Sequence, residues 1–107
     1  MELQIKGKNL EVSETMRTFA ERKLAKLGKL THPSTRVELE LSVEKNPSVA
    51  ANQIAEATVW LKGKTLRCKQ ASRDMKASID ELTEKLHREL AELSDKRVAK
   101  RRAPAGP

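Results

Sequence analysis

The side chains in this sequence that could do chemistry are its bases. Arg22, Lys23, Lys26 and Lys29 recur along one stretch and Lys85 and Arg88 along another, while Lys96 and Arg97 open the acid-free run KRVAKRR. Bases at helical spacing present fixed positive charge on a flank, and phosphate is the partner they suit. Each phosphate contact releases counterions, so affinity falls steeply with salt. Nothing comparable points to catalysis. There is no glycine-rich phosphate loop and no nucleophile motif. His32 and His87 have no acid or nucleophile at motif spacing. A single cysteine, Cys68, with two scattered histidines offers neither an internal disulfide nor a metal set. In TLRCKQ it reads as a half-buried strand residue. The expectation is a binding protein with no catalytic residue, metal or cofactor.

The charge is segregated. The formal net charge is +7, but KRVAKRR holds five of the 22 bases. The remainder sets 17 bases against 15 acids, so any polyanion site must come from charge sorted onto one surface. With 107 residues, 35% of them charged and 2% aromatic, the chain suits one small aliphatic-cored domain. No apolar run reaches membrane-spanning length and the start has no signal-peptide pattern, so a cytoplasmic protein is expected, with no membrane partner and no small-molecule substrate.

These bases must be held by elements the hydropathy pattern defines. Leu3 and Ile5 alternate with polar residues as a first strand, and Gly7-Lys8-Asn9 punctuates it. Ser13 is placed as the N-cap of a helix running to about Lys29, with Met16, Phe19, Ala20, Leu24 and Leu27 inward. Arg22, Lys26 and Lys29 share a flank of it, and Lys23, near the apolar stripe, must snorkel outward. Val37, Leu39, Leu41 and Val43 alternate with polar residues as a second strand, and 45–53 reads as a loop. Ala57, Val59 and Leu61 define a third strand, and Lys62-Gly63-Lys64 turns into a fourth, Thr65 to about Ala71. Residues 62–73 hold five bases and no acid. Ser72 or Asp74 caps a second helix, Asp74 to about Lys96, whose stripe is Met75, Ile79, Leu82, Leu86, Leu90 and Leu93. Glu81–Lys85, Glu84–Arg88 and Glu92–Lys96 have the favourable order for ion pairs four residues apart.

The predicted order is β-α-β-β-β-α, an α+β two-layer sandwich. Strands 1 and 2 are parallel neighbours, two antiparallel strands complete a four-stranded mixed sheet, and both helices cover one face. Residues 1–96 form the domain, and 97–107 read as a basic Pro/Ala/Gly tail or the start of a linker.

Three segments together resemble the ribosome hibernation-promoting factor family, also called ribosome-associated inhibitor or sigma-54 modulation protein. They are L-Q-I-x-G-x-N-L-E-V-[ST]-E from Leu3, K-L-A-K-L from Lys23, and D-M-x-x-x-I-D-x-L-x-x-K-L-x-R-x-L from Asp74 to Leu90. The resemblance implies a protein without catalysis that binds the small ribosomal subunit where tRNA and mRNA pass, and stops translation in stress or stationary phase. It implies rRNA-backbone contacts from Lys23, Lys26, Lys29, Lys85 and Arg88, and charge alone adds Arg22, Lys96 and Arg97. Lys76 departs from the family pattern, which often has an aromatic there, so a ring contact from that site should be missing. The resemblance also implies a monomer, with a longer form dimerising through a C-terminal domain. The competing reading is a general double-stranded RNA or DNA binding module. Trp60 is expected on the strand face away from the core, packed on neighbouring lysine stems or stacked on a partner.

Overall fold

A computed structural model describes the backbone of residues 1–102 and the side chains of residues 1–94. Four strands, β1 (Glu2–Gly7), β2 (Arg36–Val43), β3 (Gln53–Leu61) and β4 (Lys64–Ser72), form one sheet in the order β1-β2-β3-β4. β1 pairs with β2 in parallel, and β2–β3 and β3–β4 are antiparallel. Two helices, α1 (Glu14–Leu24) and α2 (Met75–Arg102), complete the expected architecture.

Alternation decides which sheet face the helices cover. Ile5, Val37, Leu39, Leu41, Ala55, Ala57, Val59 and Cys68 point inward and are buried. They meet Ala20, Leu24 and Leu27 from the first helical stretch and Met75, Ile79, Leu82, Leu86 and Leu90 from α2. Each large aliphatic side chain among them contributes about 1.5–3 kcal/mol by leaving water. Two tight spots fix the connections. A Cβ on Gly7 would lie 1.9 Å from the Leu10 carbonyl oxygen, so only glycine lets the chain fold back after β1. Gly63 takes φ +75 in the β3–β4 turn, a conformation costly for other residues.

The structure departs from the sequence reading in five places. α1 ends at Leu24 and continues as a 3₁₀ segment, Ala25–Leu30, because Gly28 weakens the last turns of an α-helix. Met16, Phe19 and Leu93 are half-buried at the edges of their stripes. Val43 is exposed, since it lies past Gly7–Leu41, the last β1–β2 pair. β3 starts at Gln53 and buries Ala55, whereas Leu61 at its far end is only half-buried. Finally, α2 passes Lys96 and runs to Arg102. Residues 96–102 contain no glycine or proline, and bases suit the negative end of a helix dipole.

Candidate nucleic-acid interface

Both helices are locally anchored at their starts. The Ser13 hydroxyl caps α1 by accepting from the Met16 N–H at 3.1 Å. At the start of α2, the Ser72 hydroxyl accepts from the Asp74 N–H at 3.2 Å, and the buried Ser78 hydroxyl donates to the Gln53 carbonyl at 2.6 Å. The latter bond ties α2 to β3 and fixes the rotation of the helix on the sheet.

α1 and α2 lie side by side and advance in the same direction. Arg22 shares an open hollow with Lys76. One step on, the Lys23 ammonium meets the Asp80 carboxylate at 3.1 Å. Further along, Lys26 from the 3₁₀ segment lines an open groove of about 520 Å³ with Glu84, His87 and Arg88 of α2. Lys29 is exposed one 3₁₀ turn beyond Lys26. With three residues per turn, those two lysines eclipse each other along one edge. The seam therefore carries Arg22, Lys76, Lys26 and Arg88, interrupted by Asp80 and Glu84.

The sequence-predicted residues separate into three groups. Arg22, Lys26, Lys29 and Arg88 stand on or beside the seam. Lys23 is there too, but instead of snorkelling freely it is engaged by Asp80 and sits 5.6 Å from the Phe19 ring centroid. Lys85 is half-buried on the other flank of α2, towards β4, where its charge acts on Cys68. Lys96 and Arg97 lie on α2, but their side chains are outside the described residues. Neither Glu81–Lys85 nor Glu84–Arg88 closes to 4 Å; the ion pairs among the described residues involve Lys6 and Lys23 alone. A pair worth only about 0.2–0.5 kcal/mol does not hold two long exposed side chains together, so Arg88 remains available.

Sequence reasoning missed the part of Lys76. Its ammonium lies 5.4 Å from the Phe19 centroid, so a cation takes up the ring contact expected to be missing there. The available signal was its place on α2 a turn before Asp80, on the side facing α1. Cys68 is buried beneath α2, with 3% of its surface exposed. Burial pushes its thiol up to about 12, and Glu89, which accepts from Sγ at 2.9 Å, adds to the rise. Among the described residues no cluster of His, Cys, Asp or Glu is arranged to hold a metal ion, and no helix is long and apolar enough to cross a membrane. What the seam offers is positive charge, hydrogen-bond donors and an open groove, which suit a phosphate backbone read by shape.

Fold and seam together define a small α+β domain whose two helical stretches meet in a groove lined by bases. Residues 3–98 match the family described as Sigma 54 modulation protein / S30EA ribosomal protein, and the chain belongs to that family. The ribosome hibernation promoting factor of Salmonella typhimurium is 35% identical over 96 residues, covering 90% of this chain and 96% of the relative. The ribosome hibernation promotion factor of Picosynechococcus is 33% identical over 102 residues, 94% of this chain, and this chain spans 53% of its length. Among solved structures, the Protein Y N-terminal domain of Thermus thermophilus superposes with a TM-score of 0.73 at 26% identity, covering 87% of this chain and 99% of that one.

Proposed function

We propose that this chain is a non-enzymatic ribosome-binding factor of stress and stationary phase, working in the cytoplasm as a monomer. It occupies the channel of the small subunit where tRNA and mRNA pass and so holds translation off. One observation carries the reading. Lys26 and Arg88 come from different elements, line one open groove, and have no ion-pair partner among the described residues. Two cations on facing walls of one groove, with Glu84 as the acid among its lining residues, suit a phosphate backbone, which basic side chains engage without reading bases. Arg22, Lys23 and Lys29 add charge along the seam, Lys85 adds it from the other flank of α2, and Lys96 and Arg97 are included for their charge in the sequence alone. Family membership and the relatives' names supply the partner. On this reading residues 1–96 are the ribosome-binding domain, and 97–107 are tail or linker.

The test is co-sedimentation with small subunits across a salt series, for the wild type and for Lys26→Glu combined with Arg88→Glu. Expected is salt-sensitive binding that saturates near one protein per subunit, is lost in the double variant, and is displaced by initiator tRNA. Equal binding to naked duplex RNA at matched salt would replace this reading with a general double-stranded nucleic-acid module.

A further inference from the structure

The face of the sheet turned away from the helices carries a second surface. Arg36, Trp60 and Thr65 form one cross-strand row on it, and Glu38, Thr58 and Arg67 form the next. Trp60 is 38% exposed, and the Arg36 guanidinium lies 4.8 Å from its ring centroid. The stack holds the indole in place while leaving much of it open to solvent. On the same face of β4, Arg67 and Lys69 follow Thr65, and Lys62 stands in the adjoining turn; none of the three has a carboxylate within 4 Å among the described residues. The acids of this face are partly spoken for: Lys6 holds Glu38 at 2.9 Å and Glu40 at 3.5 Å, while the exposed Glu2 of β1 stands opposite Arg36 at the other end of the Trp60 row. Glu56 stands further along, opposite Lys69.

We propose that this corner, Trp60 with Arg36, Lys62 and Arg67, is a second nucleic-acid contact that takes single-stranded RNA. One base stacks against the indole, and neighbouring phosphates lie along the bases of β4 and its turn. Single strands expose base faces that a duplex hides, and every base has such a face, so recognition is tolerant of sequence. A protein partner suits the surface less well. Among the described residues the other large exposed apolar side chains are Val43 and Val49. Val43 lies at the opposite end of β2 from Arg36, seven residues or about 23 Å away. Trp60 thus has no contiguous apolar patch around it of the kind a protein interface buries. The inference extends RNA binding to a second face, and uses none of the residues on which the helix-seam reading depends.

Trp60 is the only tryptophan, and the chain has no tyrosine, so indole fluorescence reports this corner alone. Titration with hexa-adenylate should quench it saturably, and binding of dye-labelled hexa-adenylate should weaken about 5- to 150-fold in Trp60→Ala and far less in Trp60→Phe. Arg67→Ala keeps the indole and should weaken the quenching even if Trp60→Ala were to fold poorly. Lys26→Glu with Arg88→Glu should leave it unchanged, which separates this site from the helix seam. Absent quenching, or equal quenching by inorganic polyphosphate, duplex RNA or polyglutamate, would overturn the proposal. The first outcome would leave no site here; the others would make it a patch that recognises charge or a protein.

Discussion

The Lys23–Asp80 bridge sets how much of the helix seam is available to a polyanion, and Asp80→Asn tests it. Nζ and Oδ1 are 3.1 Å apart, and the two side chains are 34% and 44% exposed. At that distance two unit charges attract by about 1.3 kcal/mol in water, but exposure and side-chain ordering reduce such pairs to about 0.2–1 kcal/mol. Lys23 also lies 5.6 Å from the Phe19 ring centroid, a contact that does not involve Asp80. The substitution should therefore lower stability by less than about 1 kcal/mol, readable in urea denaturation. Its effect on RNA binding should have the opposite sign. It releases Lys23 and removes a negative charge from between Arg22 and Lys26. One additional phosphate contact steepens the dependence of log affinity on log salt by about 0.7–0.9, equivalent to about threefold in affinity over a fourfold salt range. Small-subunit binding at about 50 and 200 mM salt, for wild type, Asp80→Asn, Lys23→Gln and the double variant, completes the cycle. Tighter binding with a steeper slope in Asp80→Asn, abolished by Lys23→Gln, is expected. Unchanged or weaker binding would refute the reasoning, because the bridge would then be aiming Lys23 rather than occupying it.

Two further outcomes follow from the core. Leu86 is fully buried at the centre of the α2 stripe, so Leu86→Ala should cost about 2–5 kcal/mol, seen as a lower urea midpoint at unchanged slope. Cys68 should resist iodoacetamide in the native protein at mildly alkaline pH and react once unfolded. Because its thiol is raised from 9.0 to about 12 in the folded state, the folded protein retains a proton that the unfolded chain loses above pH 9. Stability from this group is complete below that pH and falls as pH rises towards the folded value. The slope should approach about 1.4 kcal/mol per pH unit, and Cys68→Ala should flatten it.

Much of this molecule was legible because alternation and helical periodicity are local signals. Val37, Leu39 and Leu41 announce a one-faced strand, and Met75 to Leu90 announce the face α2 must bury. Strand order and both helices on one sheet face followed from those patterns together with connection rules. What escaped was set by neighbours distant in sequence. Nothing local says that Asp80 will lie opposite Lys23, and a helical wheel puts Lys85 and Arg88 close together although β4 and the 3₁₀ segment claim opposite flanks of α2. Lys76 read as the loss of a ring, because its compensating partner Phe19 is 57 positions earlier in the chain. The change to 3₁₀ geometry at Ala25 was also hidden, since Gly28 marks where an α-helix weakens without saying how early it tightens.

The topology itself supplies a reason for bases to gather at one end of the fold. β1 and β2 run the same way, and two antiparallel steps bring β4 back to that direction. The helices that leave β1 and β4 therefore return along the sheet in the same sense, with their negative dipole ends pointing the same way. That end favours bases on both chains of argument, charge and dipole. In α1 they are Arg22 and Lys23 in the last turn, followed by Lys26 and Lys29 in the 3₁₀ segment. In α2 the last seven residues are KRVAKRR. The lengths differ greatly: 11 residues of α1 span about 16 Å and 28 residues of α2 about 42 Å. The basic end of α2 thus projects well past the seam, and a chain with 15 acids concentrates positive charge without being basic throughout.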